Sequence, residues 1–133
     1  MEIREYLPYN EEEILRLYTS VGWTAYTDQP KVLREGFEKS MLTLAAYEGD
    51  ELLGIIRTVG DGCTIVFIQD ILVFPKHQRK GVGSRLIQSV LERFSHVRQI
   101  ELATENTPKT IDFYKSQGFG EMSELGCCGF MRI

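Results

Sequence analysis

Cysteine, histidine and long apolar runs are all scarce in this chain, and each shortage removes a class of protein. The three cysteines, Cys63, Cys127 and Cys128, make an odd count, and the adjacent pair could bridge only with strained geometry. A disulfide framework is therefore not expected, and free thiols in a reducing compartment are. His77 and His96 have no ligand spacing to those cysteines, so no metal site is expected either. No apolar run approaches the ~20 residues that span a bilayer. The opening MEIREYLPYNEEE lacks the basic-then-apolar order of a signal peptide. Together these absences predict a soluble, cytoplasmic protein with no membrane partner.

Positive charge is also in short supply. Lys plus Arg number 15 against 19 Asp plus Glu, a formal net charge of −4, the wrong sign for wrapping a nucleic acid. The acidic excess suits a cationic amine, yet so small a value is ordinary for a soluble domain. Internal repeats, low-complexity tracts and Pro/Gly/Ser linkers are lacking too. The 133 residues therefore predict one domain, 1–133, long enough to bury roughly two thirds of the surface its unfolded chain exposes.

What is present alternates between the two structural periods. Residues 2–6 predict a short strand, and Asn10 caps a helix, EEEILRLYTSV, whose apolar face is Ile14, Leu17, Tyr18 and Val21. Residues 22–30 read as a loop, and Pro30 opens a second helix. Two strands flank the Glu48-Gly49-Asp50 turn. Residues 64–73, TIVFIQDILV, predict a central strand covered on both faces. An amphipathic helix from Val82 and the strand QIELAT complete a βαβ unit. Thr107-Pro108 starts a helix that Gly118 stops, and residues 119–133 suggest a terminal pair of strands. The order is βααβββαβαββ, an α/β (α+β) chain.

The chemically informative stretch is Gln78-Arg79-Lys80-Gly81-Val82-Gly83-Ser84, between a buried strand and a helix. Its glycines let backbone N–H groups approach a ligand, and the helix start adds unsatisfied donors and the positive end of a dipole. No Asp, Asn, Ser or Thr stands at the expected cap, near Lys80 or Gly81, where a pyrophosphate would serve. Arg79, Lys80 and Arg85 would add charge-assisted contacts. A tight turn with a solvated basic rim is the plainer reading. The run lacks the Gly-Lys-Ser/Thr ending of a nucleotide P-loop and the third glycine of a dinucleotide fingerprint.

This stretch resembles the GNAT superfamily of N-acetyltransferases, with its Arg/Gln-x-x-Gly-x-Gly/Ala turn after a strand ending in a Val-x-Pro-like element. Here that element is Val73-Phe74-Pro75. The family's second feature, Phe-Tyr-x-x-x-Gly-Phe, stands as Phe113-Tyr114-Lys115-Ser116-Gln117-Gly118-Phe119. The resemblance covers essentially the whole chain and implies an acyl-CoA N-acyltransferase fold, a central mixed sheet flanked by helices. It also implies acetyl-CoA as cosubstrate, no metal, and transfer of acetyl to a primary amine of a small molecule. Backbone groups of Ile71, Leu72 and Val73 would pair with the pantetheine arm, and those of Arg79 to Ser84 would hold the pyrophosphate. Many relatives place an asparagine seven residues before the tyrosine; here Thr107 holds that position beside Asn106, and either could contact CoA while Thr107 also caps its helix.

Direct attack by an amine needs orientation, loss of a proton, oxyanion stabilisation and protonation of the leaving thiolate. The resemblance gives Tyr114 the role of acid and a backbone N–H near Val73 that of oxyanion donor, and it puts the acceptor against Trp23, Tyr26 and Arg57. Gln69 and Asp70 are polar residues in an apolar strand, and burying them unpartnered would cost a few kcal/mol. Strand alternation puts Gln69 with Phe67 and Ile71 on the face that resemblance makes catalytic. Gln69 cannot act as a base. Asp70 reads as a hydrogen-bond hub or as a catalytic residue, and the base stays unassigned, with a water chain to Glu105 or to Asp70 as its candidates. The rival readings are a non-catalytic CoA-binding regulatory module and transfer of a longer acyl group. The short terminal strands would leave an edge that a second copy could cover, so homodimerisation is also expected.

Overall fold

Strand β3 (Glu51–Gly60) sets the plan of the sheet, because every residue from Leu52 to Thr58 is buried. A strand covered on both faces needs a layer on each side. In the computed structural model, which describes residues 1–133, α1 (Glu11–Ser20) and α3 (Pro30–Glu38) form one layer. Their Ile14, Leu17, Tyr18, Leu33 and Phe37 pack in one cluster with Ala45, Ile55 and Leu72 of the sheet. The other layer is α4 (Val82–Arg93), which buries Val82, Leu86, Ile87 and Val90 and lies against β3.

The strands run in the order β1-β2-β3-β4-β5, with β1 (Glu2–Glu5), β2 (Leu42–Glu48), β4 (Ile65–Val73) and β5 (Gln99–Leu102). The first three pairings are antiparallel. Helix α4 then carries the chain from β4 to its neighbour β5, which makes the sheet mixed, as expected. Local signals explain the starts. Asn10 Oδ1 accepts from the Glu13 N–H at 3.0 Å, Pro30 occupies the first turn of α3, and Thr107 caps α5 (Pro108–Ser116).

The chain forms two compact units, Met1–Glu101 and Leu102–Ile133. The first carries α1 to α4 and the sheet. The second carries α5 and a 3₁₀ turn, Met122–Leu125. No helix is long and apolar enough to cross a membrane.

Three expectations need correction. The loop predicted at 22–30 contains a single helical turn, α2 (Thr24–Thr27), closed by the Asp28 N–H on the Thr24 carbonyl at 2.9 Å. Strand β4 is not covered on both faces: Val66, Ile68, Asp70 and Leu72 are buried, whereas Phe67, Gln69, Ile71 and Val73 between them are half-buried. Its continuous apolar run mimicked a central strand, a place that β3 occupies. The terminal strand pair is absent, because Glu121 and Glu124 cap the 3₁₀ turn reciprocally and Gly126, at φ 82°, ends it. Loose alternation around two glycines carried no strand against that local stop.

Gly54 on β3 is required by close approach, since a Cβ there would run into the Leu72 carbonyl of β4. Gly54→Ala should lower stability by about 1–3 kcal/mol through overpacking, a loss that urea denaturation monitored by circular dichroism will read.

Candidate active site

The site begins where β4 departs from regular pairing. Arg57 lies opposite Asp70 and Thr58 opposite Ile68, so Gln69 is an extra residue, a β-bulge, in β4. The pairing register shifts there, although burial keeps alternating, with Ile68 and Asp70 buried on either side of Gln69. Its side chain is half-buried and reaches the Tyr26 hydroxyl at 3.4 Å.

Asp70 beside it is buried and takes all its donors on one oxygen. Oδ2 accepts from Arg57 Nε at 2.8 Å, Arg57 Nη2 at 2.7 Å and the Tyr18 hydroxyl at 2.7 Å, while Oδ1 is buried without a partner. The remaining guanidinium nitrogen, Nη1, donates to Ser40 Oγ at 3.2 Å, and the group lies 5.1 Å over the Phe37 ring. Burial alone would lower the Arg57 pKa, but the Asp70 carboxylate reverses that and holds the group charged. Burial, reinforced by Asp70, pushes the Tyr18 hydroxyl far above the ordinary tyrosine range, so it stays a donor. Asp70 is thus the hydrogen-bond hub of the two readings.

Tyr18 links this network to the aromatic residues expected at the acceptor wall. Trp23 and Tyr26 rest edge-on against its ring, at centroid distances of 6.1 and 5.5 Å, and lie 6.0 Å from each other. Trp23 is exposed and Tyr26 half-buried. The structure thus brings Trp23, Tyr26 and Gln69 together, with Arg57 buried beneath them. Sequence reasoning missed Tyr18, because a tyrosine on an apolar helical face looks like ordinary core; its only signal was a hydroxyl needing a buried partner.

At the far end of β4 the chain turns through Pro75–His77 into the glycine stretch. Gln78 Nε2 donates to the Val73 carbonyl at 3.1 Å and ties this loop to the strand end. Arg79 has φ 64° and Gly81 φ 81°, the left-handed region that disfavours a side chain such as Arg79 carries. Gly81 is the N-cap of α4 and supplies no side-chain cap. A Cβ on Gly81 would meet open space, and Arg79, Lys80 and Arg85 are exposed around it, a fit for a phosphate group. Val82 is buried, while Gly83 and Ser84 are half-buried. On β4, Leu72 is buried and Ile71 and Val73 half-buried.

The second unit holds the other predicted residues. Tyr114 is half-buried on α5 between Phe113 and Phe119, at 5.1 and 6.0 Å. Burial raises its pKa above the ordinary tyrosine value, against a smaller pull from a hydrogen bond with Thr104. Asn106 is exposed, and Thr107 Oγ1 accepts from the Thr110 N–H at 3.3 Å.

Residues 8–128 match the family model of the acetyltransferase (GNAT) domain, and the chain belongs to that family. A solved GNAT-family acetyltransferase of Streptococcus pneumoniae is 38% identical with a TM-score of 0.89, over 99% of this chain and 96% of its own. An uncharacterised ycf52-like N-acetyltransferase of Prochlorococcus marinus is 27% identical over 89% of this chain and 67% of its own length. An aminoglycoside 6′-N-acetyltransferase solved with coenzyme A shares 19% identity at a TM-score of 0.72, over 89% of this chain and 84% of that one, a likeness of fold alone.

Removing one partner of a buried ion pair strands the other, whereas removing both does not. Asp70→Ala should therefore cost about 3–5 kcal/mol, and the double variant Asp70→Leu/Arg57→Met should be more stable than either single change in thermal unfolding.

Proposed function

We propose that the protein transfers the acetyl group of acetyl-CoA to a primary amine of a small molecule by direct attack. The observation that carries this reading is the uncapped first turn of α4, opened by a left-handed Gly81 and rimmed by Arg79, Lys80 and Arg85, in a chain of the acetyltransferase family. A helix start without a side-chain cap suits a pyrophosphate, and a fold relative was solved with coenzyme A.

Backbone groups of Ile71, Leu72 and Val73 hold the pantetheine arm in this reading, consistent with the half-buried apolar residues of β4. Asn106 and Thr107 are the further cofactor contacts. Trp23, Tyr26 and Gln69 form the acceptor wall, with Arg57 beneath it. The neutral amine nitrogen attacks the thioester carbonyl, and the oxyanion that forms takes a backbone N–H near Val73. The C–S bond then breaks as the amide forms, the nitrogen gives up a proton to water, and the thiolate takes one from Tyr114, whose phenolate is reprotonated from solvent.

A bulky side chain in the first turn of α4 would block the phosphates. Gly83→Val should reduce CoA affinity at least ~10-fold in calorimetry while circular dichroism shows an intact fold, and unchanged affinity would place the cofactor elsewhere.

Because burial raises the Tyr114 pKa, the hydroxyl stays protonated through neutral pH, and activity that needs its proton declines only on the alkaline side. Tyr114→Phe should leave acetyl-CoA affinity nearly unchanged, cut kcat by ~10²-fold or more, and abolish that alkaline decline. Retention of more than about half the kcat would mean that the thiolate leaves without Tyr114.

A further inference from the structure

We infer that Tyr18, clamped by Asp70 and Arg57, is a positioning residue that sets the acceptor wall and thereby acceptor affinity, without taking part in cofactor binding. The inference rests on the acceptor reading above and extends it to residues that touch no reactant.

Tyr18 is held at both ends. Its hydroxyl donates to Asp70 Oδ2 at 2.7 Å, and its ring meets Trp23, Tyr26 and Phe37 edge-on at 6.1, 5.5 and 6.1 Å. Neither partner on the hydroxyl side can yield. Arg57 places two nitrogens on that same oxygen and its third on Ser40 Oγ, whose own hydroxyl donates to the Gly36 carbonyl at 2.7 Å. A hydroxyl bonded to a carboxylate fixed in this way has one low-energy direction, and the ring must follow it.

The wall residues lean on α1: the Trp23 N–H donates to the Tyr18 carbonyl at 3.0 Å, and Tyr26 packs against the core cluster that contains Tyr18. Helix α2 is four residues long, has no side-chain cap and buries none of its residues. Its Tyr26 rests on the Tyr18 ring and on the Gln69 amide at 3.4 Å, a long contact, while Trp23, immediately before it, packs on Tyr18 and Tyr26. A short uncapped turn does not hold its own shape. Tyr18 is the residue that both rings share as a support, and its own hydroxyl is held by the β3–β4 ion pair.

A buried ion pair is a poor source of stability, since apolar replacements of similar volume commonly do as well or better. Its presence beneath the wall fits an orienting task. Asp70 also immediately follows the bulge residue Gln69, so the pair fixes the strand at the point where the wall meets β4.

Trp23 is the only tryptophan in the chain, which makes the inference measurable without knowing the acceptor. Fluorescence excited at 295 nm reports Trp23 alone, and acrylamide quenching reads how firmly the wall holds it. Tyr18→Phe keeps the ring and removes only the hydroxyl. It should increase the quenching constant about twofold and leave calorimetric acetyl-CoA affinity within twofold of wild type.

The kinetic arm uses whichever of hexylamine, 2-phenylethylamine, lysine and spermidine gives the fastest thiol release from acetyl-CoA. Tyr18→Phe should raise the acceptor KM at least about fivefold, the scale of one lost hydrogen bond, with the acetyl-CoA KM unmoved. If Tyr26→Ala raises the acceptor KM while Tyr18→Phe changes neither that KM nor the quenching, the positioning role is overturned and the acceptor wall stands. If neither variant alters acceptor KM, the wall itself is misplaced and the inference falls with it. Equal losses toward both substrates would mark Tyr18 as a general structural residue and overturn the inference too.

Discussion

The contact between Arg57 and Asp70 fixes more of this molecule than its size suggests. Two strands pair at that point, one of them with an extra residue, and a guanidinium and a carboxylate occupy positions that would otherwise be apolar core. Each group would carry a large desolvation cost alone. Together they tolerate burial, and the four donors that the arginine and Tyr18 present to Asp70 and Ser40 tie α1, β3, β4 and the end of α3 to one centre. The other carboxylate oxygen of Asp70, Oδ1, is buried without a partner, so the centre leaves one acceptor unsatisfied.

From that centre β4 runs toward its exposed uses. Its even-numbered residues from Val66 to Leu72 face the packed interior, and its odd-numbered ones are half-covered, so the strand is anchored on one side and available on the other. Gly54 lets β3 approach closely enough to keep that anchor tight beside Leu72. The Gln78 side chain closes the strand end, after which the backbone enters the left-handed region at Arg79 and Gly81 and reaches the bare start of α4. Strain at Arg79, a residue with a full side chain, is tolerated because the surrounding turn is fixed at both ends.

Much of this was legible in the sequence, for reasons that differ by element. Asn10, Pro30 and Thr107-Pro108 announced helix starts through local chemistry, and local chemistry does not depend on the rest of the fold. The glycine turn was readable because a missing cap and a left-handed glycine are also local facts. Strand β4 was overread, since an apolar run states what a strand could bury and not what covers it. The terminal strands were overread for the opposite reason: alternation was weak, and the Glu121–Glu124 capping box decided the backbone locally. Tyr18 escaped notice because its role depends on a partner 52 positions away, a separation no periodicity encodes.

Charge separates the two ends of the candidate site. From Ile71 to Leu91 there is no Asp or Glu, while Lys76, Arg79, Lys80 and Arg85 all fall within that interval, in a chain whose net charge is −4. Lys76 is engaged with Glu51 at 2.9 Å, so the local field around Gly81 comes from the other three and from the start of α4. In the proposed reading such a patch would attract a polyanionic cofactor to the start of α4. From Leu17 to Gln29 the pattern reverses, with no Lys or Arg and aromatic rings in their place. The one cation beneath that wall, Arg57, is already committed to Asp70. In the proposed reading an anionic group on the acceptor would find no free cation there, so the charge that would draw in the cofactor and the surface that would meet the amine do not compete for the same ligand.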